Sequence, residues 1–140
     1  MGREKTQGER SQGVRVLAKR PGLNTFFYLF QTNKLIGGNQ TQVLCSHFED
    51  KVLILVTQIN KIGNLIEIHK DVVLDEEAGK QPMYSTRVLL GVDEPLTHVI
   101  AKNLISKIDT SKSILLGMSL KDTSRDTVIG ISELIKSVVT

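Results

Sequence analysis

From residue 33 onward, short apolar runs alternate with small groups of turn-forming residues, the rhythm of a strand-rich domain. Leu35-Ile36 and residues 41–48 flank GGNQ, a hairpin connection in which glycines accept positive φ without a Cβ clash. Glu49-Asp50 marks a second turn, followed by KVLILVTQ at residues 51–58 and, after a turn at 60–63, NLIEIH at residues 64–69. The polar stretch KDVVLDEEAGKQP then reads as a connection leading to a strand over residues 83–90. Closely spaced strands with short turns predict antiparallel pairing, because parallel pairs need long crossovers. Upstream, four of the six aromatic residues (Phe26, Phe27, Tyr28, Phe30) fall within five positions and predict an edge strand docked on the folded body.

Beyond residue 92 the period changes. Asp93 is placed to cap a helix, and Pro95 suits its first turn, where the missing N–H has no helical partner. Leu96, Val99, Ile100, Leu104 and Ile108 recur at helical spacing as one apolar face. Residues 113–120 predict another strand. A second helix follows from near Thr123, with Thr123 and Asp126 as a weak capping box and Val128, Ile131, Leu134, Ile135 and Val138 as its buried stripe. The expected fold is α+β: an antiparallel sheet of about six strands, two helices packed on it, in the order βββββ-α-β-α.

A sheet covered on one face should alternate apolar and polar residues along its strands. Val52-Leu53-Ile54-Leu55-Val56 does not alternate, and Ile114-Leu115-Leu116 repeats the departure. Two helices cover one face, so the other needs its own cover, and a second protein chain is the expectation. The face proposed for it at this point is Val52, Ile54, Val56 and Leu115. The competing cover is the aromatic segment folding over, but five residues span little of a sheet.

Charge narrows the reading. The chain of 140 residues has a net charge of +3 and a pI near 9.1, which by itself suggests a nucleic-acid or membrane partner. Residues 1–20 hold six cations and two anions, a net of +4, leaving 12 Lys+Arg against 13 Asp+Glu, a net of −1, for residues 21–140. The basicity belongs to an N-terminal extension over residues 1–24, expected to be disordered, in which Val14, Val16 and Leu17 are the only hint of a strand. Glu4 and Glu9 count against a transit peptide, which avoids acids. No cation interrupts the aromatic cluster, so a base-stacking platform is disfavoured. A single cysteine, Cys45, and no long apolar run favour a cytoplasmic protein with neither disulfides nor a membrane span.

Candidate chemistry is sparse. Glycine-rich nucleotide loops, nucleophile elbows and paired cysteines are absent. Cys45 and His47 alternate on one strand and could form a Cys–His couple, but no third group lies near in sequence. His98, close to Asp93 and Glu94, is a surface or capping histidine on the same reading. The acidic cluster Asp71, Asp75, Glu76 and Glu77 sits in the longest internal connection, either as a solvated mobile loop or as a contact that steers a basic partner.

Longer strings carry a resemblance. TQVLCSHFEDKVLILVTQINKIGNL, STRVLLGVDEPLTHVIAKNLISKI and GMSLKDTSRD are similar to proteasome assembly chaperone 3, over roughly residues 31–139. The resemblance implies a domain over residues 25–140 that is a small, dimer-forming, non-enzymatic and cytoplasmic chaperone without cofactor or metal. It further implies pairing with itself or with the related proteasome assembly chaperone 4. The implied partners are α-type subunits of the 20S proteasome, whose ring assembly the dimer promotes. The segment at residues 70–82 takes the place of a mobile loop in the family, which makes its acids the expected partner contact. The first 24 residues have no counterpart in the pattern. A small cytosolic enzyme using Cys45 with a nearby histidine is the alternative.

Overall fold

The computed structural model describes residues 12–19 and 26–139, apart from 60 and 62. Strands β1 (Gln12–Lys19), β2 (Phe26–Ile36), β3 (Asn39–His47), β4 (Lys51–Thr57), β5 (Asn64–Asp75) and β6 (Gly79–Leu90) precede helix α1 (Pro95–Ile105), strand β7 (Ser113–Ser119) and helix α2 (Arg125–Val139). They build one sheet in the order β1-β2-β3-β4-β7-β5-β6. The α+β class and both helices match expectation, and three details of the sheet do not.

The first is that the sheet is mixed: β7 lies parallel to β4 and antiparallel to β5. Helix α1 carries the chain back along the sheet, so β7 starts beside Lys51, at the end where β4 also starts. The second concerns the N-terminal side. Residues 12–19 of the extension expected to be disordered are β1, paired antiparallel with β2, while 1–11 and 20–24 lie outside the described residues. The alternation at Val14 and Val16 was therefore a strand signal. With β1 outside it, the aromatic segment is an interior strand rather than an edge. The third is that residues 70–82 are not a loop. β5 and β6 continue through them as a hairpin arm closed by a turn at 76–78. Asp75 Oδ1 accepts the N–H groups of Glu77 (2.8 Å) and Ala78 (3.0 Å), the local bonding that lets an aspartate close a turn.

Both helices join one buried cluster. Val43, Val52, Ile54, Val56, Ile66, Ile68, Ile114 and Leu116 from the strands meet Ile100, Leu104, Ile105, Ile131, Leu134, Ile135 and Val138. The stripe expected of α2 is buried as read, and Gly130 within it brings the helix close to β2: a Cβ there would lie 3.2 Å from Ile36 Cγ2. α1 is rotated from expectation. It buries Thr97, Ile100, Ala101, Leu104 and Ile105 and leaves Leu96 and Val99 exposed. Its N-cap is Glu94, without a side-chain cap bond, because the Asp93 carboxylate is bound to His98 Nε2 (2.5 Å). At the start of α2 the bonding carboxylate is that of Asp122, two residues before Ser124 at the helix N-terminus, rather than the Thr123/Asp126 pair. Its carboxylate accepts Ser124 N–H (2.9 Å) and the Thr127 hydroxyl (2.6 Å), which holds its pKa below the ordinary value.

Candidate functional site: the open face of the sheet

Strand alternation sorts the apolar residues of β4 onto two sides. Val52, Ile54 and Val56 point toward the helices and are 0–1% exposed. Leu53 and Leu55 point the other way and are half-buried. Cross-strand register extends the second set: Leu55 lies opposite Leu44 on β3, and Leu53 lies beside Leu115 on β7. These four leucines form the centre of the face that the two helices do not cover. Leu55 also neighbours Gly117, where no side chain fills the surface, and a hollow of about 220 Å³ opens there. Gln31, Gln42, Thr57 and Lys61 supply its polar walls.

Toward β5 and β6 the border is charged. Glu67, opposite Leu115, accepts from Arg87 (3.1 Å) and lies 3.6 Å from His69 Nε2. His69 Nδ1 is within 3.1 Å of the Ser113 hydroxyl. Exposed pairs of this kind contribute at most about 1 kcal/mol, so their effect is to frame the leucines rather than to hold the fold. An apolar centre with a polar rim is the anatomy of a protein–protein contact.

The face expected from the sequence is corrected accordingly. Of Val52, Ile54, Val56 and Leu115, only Leu115 lies on the open side. The other three are sealed beneath the helices because even and odd positions of a strand face opposite ways. Leu44, Leu53 and Leu55 are the residues that sequence reasoning missed. The signal was there, since a strand apolar on both sides always offers two sets, but nothing local says which set the helices take.

Three of the four acidic residues gather at the tip of the arm, and Asp71 lies four residues back along β5. Asp71 lies on β5, Asp75 ends it, and Glu76 and Glu77 form the tip of the arm, all exposed. Hydrogen bonds from Ala78 and Glu77 hold the Asp75 carboxyl below its usual range, so the tip is anionic at neutral pH. Beside these acids, Val72, Leu74 and Met83 are 61%, 77% and 56% exposed, so the arm carries apolar side chains as well.

The Cys–His couple sits in surroundings unsuited to nucleophilic work. Cys45 Sγ lies 3.7 Å from His47 Nε2, but the thiol is buried and desolvation pushes its pKa up to about 11. His47 is shifted down by burial and by Lys112, so it is neutral beside a protonated thiol. His98 is engaged at both ring nitrogens, by Asp93 and by the Thr86 hydroxyl (2.6 Å). Among the described residues, no group of three or more His, Cys, Asp and Glu is arranged to hold a metal ion, and no helix is long and apolar enough to cross a membrane.

Sequence comparison points to one family. The family model for proteasome assembly chaperone 3 matches residues 54–138. Proteasome assembly chaperone 3 of Mus musculus is 37% identical over 109 residues, covering 76% of this chain and 88% of the relative. The Homo sapiens protein of that name is 35% identical with the same coverage, and that of Nematostella vectensis 31% identical over 121 residues, covering 79% and 90%. In three dimensions the chain resembles one from a crystal structure of a chaperone complex for yeast 20S proteasome assembly. That match has a TM-score of 0.57 at 16% identity, over 83% of this chain and all of the other. Sequence and architecture agree, and the chain belongs to the proteasome assembly chaperone 3 family.

Proposed function

We propose that this chain is a cytoplasmic, non-enzymatic chaperone of 20S proteasome assembly that works as a dimer and binds α-type subunits. The observation that carries the reading is the open face around Leu44, Leu53, Leu55 and Leu115, on a chain whose family relatives are named for proteasome assembly. A contiguous apolar sheet face is costly in water, and a second sheet packed on it at about 10 Å removes that cost. The second sheet belongs to another copy or to the related proteasome assembly chaperone 4. Binding free energy is the sole instrument of such a chaperone: it holds an α-subunit in place and excludes wrong neighbours from the growing ring. The folded unit that does this spans residues 25–140, with β1 added along β2. A cysteine enzyme is disfavoured by the raised thiol pKa of Cys45.

The arm is the proposed contact with the client, Asp71, Asp75, Glu76 and Glu77 steering a basic surface toward it. Light scattering on the eluting protein at micromolar concentration, alone and with the related chaperone, tests the dimer. A monomer under both conditions refutes it. Capture of purified α-type subunits tests the client. Reversing the charge of Asp75, Glu76 and Glu77 to Lys slows association and flattens its salt dependence, and unchanged kinetics exclude the arm.

A further inference from the structure

The helix side carries apolar surface that neither the core nor the open sheet face absorbs. Leu96 and Val99 on α1 are 57% and 53% exposed, and Ile129 on α2 is 41% exposed. They line a groove of about 380 Å³ between the helices, with the buried Ile100 and Val128 beneath. Leu96, Ile100 and Thr123 also line an adjoining hollow of about 370 Å³ that reaches Val92, 61% exposed. Scattered surface hydrophobes are ordinary, but exposed ones sharing connected depressions mark an interaction site.

The walls specify what fits. Among the described residues, the charged ones lining the groove are Arg125 and Lys107, and no carboxylate lines it; Glu94 enters only the adjoining hollow. Lys107 is within 3.4 Å of Glu133, whereas Arg125 stands at the first turn of α2. α1 and α2 both start at the end of the sheet where β6 and β7 finish, so they run in the same sense. Their N-terminal partial positive charges therefore fall at one end of the groove, beside Arg125. Leu96 and Val99, three residues apart, present the spacing that meets the apolar stripe of another helix.

We propose that the groove between α1 and α2 docks an acidic amphipathic helix of an α-type subunit. Its apolar stripe lies over Leu96, Val99 and Ile129, with a carboxylate against Arg125. This rests on the reading of the chain as an assembly chaperone. It adds to the acidic arm a second contact, of opposite charge, on the side of the sheet away from the leucine face.

The test uses the full chain carrying Val99→benzoylphenylalanine, photolysed with purified 20S α-type subunits and mapped by mass spectrometry. The expected cross-link falls on an acidic amphipathic helix of an α subunit. Val99→Asp and Arg125→Glu should each weaken capture of that subunit by about tenfold. Both should leave the melting temperature and the oligomeric state as in the unaltered chain. A cross-link to a second copy or to a non-helical segment overturns the assignment, as does full capture by both variants. If the unaltered chain captures no α subunit, the chaperone reading falls and this inference with it. If it captures normally and the variants do too, only the groove falls.

Discussion

The two faces of the central sheet are both apolar and differ in kind. Beneath the helices lie Val43, Val52, Ile54, Val56, Ile66, Ile68 and Ile114, all β-branched, together with Leu116 and Met118, and all nearly inaccessible. At the centre of the open side the apolar side chains are leucines, among them Leu44, Leu53, Leu55 and Leu115. β-Branched side chains are stiff at χ1 and suit a permanent core in which each position has one neighbour set. Leucine has more rotamer freedom, which suits a surface that repacks when a partner arrives. One face of the sheet is therefore fixed at folding, and the other is the one proposed above for assembly.

Truncation separates the faces most sharply. Ile54→Ala removes atoms from a fully buried site and should cost about 2–5 kcal/mol, read from chemical unfolding of the purified chain. Its neighbour in sequence, Leu55→Ala, half-buried on the open side, should cost well under that amount in the monomer and act mainly by weakening the proposed dimer. Equal losses of stability at the two positions would abolish the distinction. Gly130→Leu attacks the seal itself, because a side chain there meets Ile36 and lifts α2 from β2. A loss of about 1–3 kcal/mol is expected, with dimerisation weakened only as far as the sheet is disturbed.

A smaller effect depends on pH. Asp122, which ties the approach to α2 to Thr127 in its first turn, has a pKa below its ordinary 3.8 through bonds to Thr127 and Ser124. A carboxylate with a depressed folded pKa contributes stability in full above its unfolded value, and loses it as pH falls through the folded value. Asp122→Ala should therefore lower the urea midpoint by a constant amount at pH 5–8, and the gap should close below about pH 4. A gap that persists in acid would mean the effect is not electrostatic. The smallest change belongs to the open face. Ser46 Oγ is buried there without a hydrogen-bond partner, so Ser46→Ala should be neutral or stabilising by under about 1 kcal/mol. A clear destabilisation would show that the hydroxyl has a partner in the assembled protein.

Much of this architecture is legible residue by residue. The buried stripe of α2 and the turn-bounded strands β3, β4 and β7 follow from local period. The hairpin arm was read as a loop because DEEAGK dominates its composition. Yet Val72-Val73-Leu74 is strand material, and pairing with residues 80–82 of β6 satisfies its backbone. α1 was misjudged by face. Thr97, Ala101 and Ile105 offer a second apolar side on the same helix, and contact with α2 and β6 selects it.

Local chemistry in the sequence settled that the domain is α+β, that its net positive charge belongs to the N-terminal segment, and that β4 is apolar on both sides. Which side the helices cover was decided only in three dimensions. Alternation divides a strand into two sets without ranking them. The ranking comes from the return path of α1, which places β7 parallel to β4 and brings both helices onto the side of Ile54. The uncovered leucines, and with them the proposed site of assembly, follow from that path.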